Sequence, residues 1–216
     1  VRYDPTVQVA HREPSSWSGL LRRRYRYGTS VVPLTRRHPG ATSPLVLQPW
    51  SALTVLALLA RRPLCAAATC ATGTGLIVRR LRTTGLGWRQ LTWPMASSLW
   101  PTFLGLGRWC GQFASPVLVL LLVRPGARGR TRRRRRVALG MLLLCPGLSE
   151  WARRRPKLDP FRFGLGVLAD EAAYGAGVWR QCLRDRLWSP LVPSTARTAS
   201  GLTAQNKSDY HSSCAG

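Results

Sequence analysis

Apolar and polar positions alternate in two rhythms along this chain. Val1, Tyr3, Val7 and Val9 alternate with polar residues around an Asp4-Pro5 turn, which predicts a half-buried strand or hairpin edge. From Pro14 the rhythm becomes helical. Ser15 and Ser16 are placed to cap a helix over 14–27, with Leu20, Leu21 and Tyr25 on one face and Gly28 positioned to end it. Pro33, Pro39, Gly40 and Pro44 predict an extended connector. Four apolar runs follow at 45–60, 64–78, 99–123 and 137–148, each bounded by arginine. Asp159-Pro160 reads as a cap followed by a first-turn proline. Leu168, Ala172, Ala176, Trp179 and Leu183 then recur near helical spacing, predicting a helix to about Leu187. Asp170 and Glu171 read as early-helix acids and Arg180, Arg184 and Arg186 as late bases, which suits the helix dipole. From Ser194 the chain is polar and aperiodic, which predicts a disordered tail.

Of the apolar runs, only 99–123 reaches the roughly 20 residues that a bilayer span requires, and it contains Pro101, Arg108 and Pro116. The others suit short membrane-associated or interfacial helices equally well. The fold expected is therefore mainly α: a membrane-associated helical region over 45–157, an amphipathic helix over 158–193 and a tail over 194–216. No targeting segment is legible at the amino end, since the first apolar run begins only at Leu45.

Charge sharpens this picture. The formal net charge is +25, and all but two of the 33 basic residues are arginine. Such an excess calls for an anionic partner: lipid headgroups, nucleic-acid phosphate or a nucleotide-sugar diphosphate. Residues 14–149 contain no Asp or Glu, so this stretch cannot supply a paired-carboxylate acid/base site. The six cysteines include no C-x-x-C, and four lie in apolar runs, which argues for small core residues rather than a zinc site or disulfide framework. The Arg130–Arg136 block lies between two apolar runs, which favours an interhelical loop at a headgroup surface over nucleic acid. No G-x-G-x-x-G or nucleophile elbow is present.

The candidate chemistry concentrates in 11–40. Arg22, Arg23, Arg24 and Arg26 interleave with Trp17, Tyr25 and Tyr27. Guanidinium groups hold phosphate bidentately, and aromatic faces support a base or sugar. The plain alternative is a juxtamembrane basic helix lying on anionic lipid. His11 directly follows the opening strand; it reads either as a surface histidine or as a metal or diphosphate contact.

Two regions carry a resemblance. The first is V-R-Y-D-P-x-V-x-V-x-H-R-E-P from Val1, followed by R-Y-G-T-S-x-x-P-L-x-x-R-H-P-G from Arg26. The second is L-D-P-x-R from Leu158, then A-D-E-A-A-Y-G-A-G-V-W-R-Q-C-L-R from Ala169 and P-L-V-P from Pro190. In order and spacing these resemble the mycofactocin-system glycosyltransferases, inverting family 2 enzymes. The resemblance implies that 1–44 is the end of a GT-A type α/β nucleotide-sugar domain plus its connector, a short remnant beside the helical region. It also implies a membrane-bound enzyme, with its catalytic side cytoplasmic, that transfers glucose from UDP-glucose to the peptide-derived cofactor mycofactocin. It further implies that Arg22, Arg23, Arg26 and Tyr27 face the donor diphosphate, and that His11 completes a divalent metal site holding Mg or Mn. The Asp-x-Asp metal motif of such enzymes has no counterpart in these 216 residues. Alone, the chain is expected to be inactive, acting as the membrane-anchoring portion of such an enzyme. The alternative is a stand-alone basic, lipid-binding membrane protein.

Overall fold

In the computed structural model, residues 14–38, 43–85, 87–123 and 129–195 are described. The predicted strand at 1–9, His11, and the tail beyond Thr195 lie outside them.

The first helix, α1 (Trp17–Thr29), begins as its sequence predicts: the Ser16 hydroxyl accepts from the Gly19 N–H at 3.2 Å. It does not end at Gly28. That glycine is buried because α1 crosses α8 (Pro160–Asp185) backbone to backbone there. A Cβ on Gly28 would overlap the Tyr174 carbonyl, and one on Gly177 would overlap the Tyr25 carbonyl. Glycine serves close approach here, not helix termination.

The connector is also more helical than its prolines suggest. Pro33 falls in the first turn of α2 (Val31–Arg37), where a missing N–H breaks no helical hydrogen bond. Beyond it, α3 (Pro49–Leu59) and α4 (Pro63–Leu81) each start on a proline, as fixed φ favours.

The longest helical stretch exceeds the run read at 99–123. It starts at Trp88 with α5 (Trp88–Trp109), passes through a π-turn at Cys110–Ala114, and continues as α6 (Ser115–Val123). Pro94 and Pro101 lie inside α5 without ending it. This is the one helix among the described residues long and apolar enough to cross a membrane.

The basic block is not a loop: α7 (Arg130–Arg154) begins within it. Pro146, inside α7, leaves the Leu142 carbonyl without its helical donor. Gly107 of α5 faces that carbonyl and the Pro146 ring, and a side chain there would clash with both. Finally, α8 is capped as predicted, with the Asp159 carboxylate accepting from the Arg162 N–H at 3.0 Å.

Two apolar clusters hold these helices together. Val32 of α2, Phe113 of the π-turn, Val178 and Cys182 of α8, and Leu191 form one. It thereby joins the first, middle and last thirds of the chain. Val55, Leu106 and Leu142 form the other, between α3, α5 and α7. Where a disordered tail was predicted to begin, Ser194 and Thr195 instead pair in parallel with Val46 and Leu47. Ser43 adds a side-chain hydrogen bond to Ser194 at 2.7 Å. The architecture is mainly α, as expected, with this two-strand ladder as its β content among the described residues.

Candidate functional site

The arginines of α1 divide between two environments. Arg22 and Arg26 are exposed one turn apart, a spacing that puts them in one row. Arg23 is half-buried, its guanidinium 5.9 Å from the centre of the Tyr27 ring, and Tyr27 is half exposed. The four residues predicted to meet a diphosphate therefore lie on adjoining rows of one helix. Trp17 turns the other way: its ring packs where a Cβ on Gly166 would sit.

Arg24, the remaining basic residue of that run, faces α8. It forms an ion pair with Asp170 at 2.8 Å and lies 5.3 Å from the centre of the Tyr174 ring. Arg180 of α8 returns the contact, donating to the Tyr25 hydroxyl at 3.0 Å. These residues fasten α1 to α8.

A second polar cluster lies where α5, α7 and α8 meet. Arg108 of α5 reaches Glu150 of α7 at 2.9 Å and Glu171 of α8 at 4.0 Å. Glu150 also accepts from Arg153 at 2.8 Å and pairs with Arg154. Its carboxyl is held below the usual carboxylate range, chiefly by the Arg153 hydrogen bond. Glu171 behaves oppositely. It is buried against the π-turn, where Gly111 leaves it room, and burial pushes its carboxyl up to about 7 despite Arg108.

Sequence reasoning missed this cluster. Residues 14–149 supply no carboxylate themselves, as read, but Glu150, Asp170 and Glu171 from beyond that stretch fold back onto its arginines. Asp170 and Glu171 are also not early-helix acids; they sit mid-helix, and the first turn of α8 has no acid. One signal was available. Few acids among many arginines make an arginine partner for each buried acid nearly unavoidable.

Among the described residues, no group of three or more His, Cys, Asp or Glu is arranged to hold a metal ion. His11 lies outside them, so the Mg or Mn site implied by the resemblance acquires no ligand set here.

No family model matches the chain, and no solved structure matches it significantly. Two curated proteins do. Both are pre-mycofactocin glycosyltransferases of Mycobacterium tuberculosis, from strains CDC 1551 / Oshkosh and ATCC 25618 / H37Rv. Each is 30% identical over 219 aligned residues, which take in 89% of this chain and 42% of the relative. The motif resemblance is therefore shown as a sequence relationship: along nearly its whole length the chain is similar to a pre-mycofactocin glycosyltransferase, and it spans less than half of that protein.

Proposed function

We propose that the chain is the membrane-holding, helical portion of a glycosyltransferase that adds glucose from UDP-glucose to the mycofactocin peptide. The observation that carries this reading is the similarity over 89% of the chain to a protein named for that activity. The helical stretch 88–123 supports the membrane part. On α6, Val117, Leu120 and Val123 leave more than half of their side-chain surface exposed, which suits lipid better than water. Arginine-rich helix ends favour the cytoplasmic face for the basic side.

In this reading α1 serves two purposes. Arg24 and Tyr25 lock it to α8, while Arg22, Arg23, Arg26 and Tyr27 receive the donor diphosphate. The departing nucleotide diphosphate carries the negative charge that develops during an inverting displacement, and fixed guanidinium groups stabilise that charge. In this reading the chain holds and orients the donor rather than transferring sugar by itself. The purified chain is expected to show no transfer from UDP-glucose to the mycofactocin peptide. It is expected to bind UDP-glucose weakly, and Arg22→Ala/Arg26→Ala is expected to lower that affinity about tenfold, measured by calorimetry. Turnover by the chain alone would contradict the anchoring role. Unchanged nucleotide-sugar binding in the double variant would contradict the role of α1.

A further inference from the structure

An apolar slot opens between α3, α5 and α7, away from α1 and α8. Its volume is about 470 Å³, within the range of small-molecule sites. Its walls include Leu58 of α3, Trp100 and Phe103 of α5, and Val137 and Met141 of α7. Trp100 and Phe103 stack with ring centres 5.5 Å apart, giving the α5 wall a flat aromatic surface. At one end the slot runs into a second hollow through the shared residues Leu59, Arg61 and Ala138, and there Arg134 and Arg135 join Arg61. Arg61 comes from the turn after α3 and the other two from the first turns of α7. No acidic residue lines either hollow.

We propose that this slot binds one acyl chain of an anionic phospholipid, whose phosphate sits on Arg61, Arg134 and Arg135. The inference builds on the membrane reading above and adds to it a defined lipid site. An apolar channel alone would accept any hydrocarbon. Three arginines from two elements line one mouth and select the headgroup, because arginine pairs with phosphate in a fixed fork geometry. The site also explains why α7 begins as a helix inside its arginine block: helical spacing brings Arg134 and Arg135 to the mouth beside Ala138.

The test is native mass spectrometry of the full chain in mild detergent, with phosphatidylglycerol or phosphatidylcholine added. The expected result is one retained phosphatidylglycerol per chain, with phosphatidylcholine retained at least about tenfold less. Arg61→Ala/Arg134→Ala/Arg135→Ala is expected to lower phosphatidylglycerol retention about tenfold or more. Ala138→Trp fills the slot without touching the arginines and is expected to lower it similarly. Arg79→Ala/Arg80→Ala, at the far end of α4, is expected to leave it unchanged.

Phosphatidylglycerol with brominated acyl chains gives a second readout in the otherwise native protein. Its quenching of tryptophan fluorescence should saturate at one equivalent, and Trp100→Phe should remove most of it. Equal retention of the two lipids would overturn the proposal. So would retention that survives the triple variant or Ala138→Trp with the helical fold intact, or quenching unchanged in Trp100→Phe. The two readings fail separately. A chain that high salt strips from membranes loses the membrane reading, whereas one that stays but shows no lipid preference loses only this site.

Discussion

The α1–α8 side of the molecule and the α3–α5–α7 side solve the same problem, an excess of arginine, in opposite ways. On the first side, carboxylates and glycines do the work. Four of the five carboxylates among the described residues lie on α8 or at its cap, each with an arginine partner: Asp170 with Arg24, Asp185 with Arg36, Glu171 with Arg108 and Asp159 with Arg162; the fifth, Glu150 of α7, also pairs with Arg108. Glycines let the backbones touch so that these pairs can form. On the second side there are arginines and an open apolar slot, and no acid lines it. Internal pairing makes a charge structural, whereas a hollow lined by arginines and by no acid suits an anion. The same residue type thus fastens helices in one region and lines an open hollow in the other.

The sharpest way to break this comparison is to add the same bulk on both sides. Gly177→Val forces a three-carbon side chain into the Tyr25 backbone and is expected to cost about 3 kcal/mol or more, read as a fall in thermal midpoint in detergent. Ala138→Leu adds the same atoms beside the slot and is expected to change stability by less than about 1 kcal/mol. Equal costs would mean that the slot side is packed as tightly as the α1–α8 crossing.

Next in size is Glu150→Ala. It leaves Arg108 without its shortest partner and is expected to cost about 2 kcal/mol.

Glu171 brings in pH. Its carboxyl is raised to about 7 in the folded chain, so the folded state binds its proton more tightly than the unfolded state does. That contribution is fully present below about 4.5, the ordinary value, and is lost as pH rises through about 7. Stability should therefore fall by roughly 2 to 3 kcal/mol between pH 5 and 8, and Glu171→Gln should flatten the profile. Glu150 acts in the other direction and in another window. Its lowered carboxyl stabilises the fold above the ordinary value and stops doing so only as pH falls below it. A flat native profile between pH 5 and 8 would remove Glu171 from the buried cluster.

The smallest effects separate the arginines of α1. Arg24→Ala is expected to cost about 1 kcal/mol, since its ion pair is partly shielded from water. Arg22→Ala and Arg26→Ala are exposed changes and are expected to stay within about 0.5 kcal/mol.

Caps and periodicity were legible in the sequence because they are local. Ser16 and Asp159 cap the helices that their positions announce, and the 168–183 spacing predicts the course of α8. Close approach between distant segments was not legible. Gly28 has the signature of a helix end, and only its meeting with Gly177 about 150 residues later makes it a contact point. Prolines misled for a related reason. Pro33 and Pro101 are tolerated according to where they fall in a helix and what packs around it, and neither is a local property. The α1 residues of the candidate site were readable as a basic-aromatic cluster, yet the division between Arg24 and its neighbours depends on Asp170, which the sequence places far away.

In the function proposed above, the apolar stretch 88–123 holds this helical assembly in the membrane and its charge only adds to that hold. The most direct measurement is to wash isolated membranes carrying the chain first with high salt and then with alkaline carbonate, and to follow the chain by immunoblot. The account predicts that both washes leave it in the pellet and that only detergent releases it, with Leu120→Arg/Val123→Arg shifting it towards the wash. Complete release by high salt alone would mean that arginine on lipid headgroups holds the protein, and it would contradict the account.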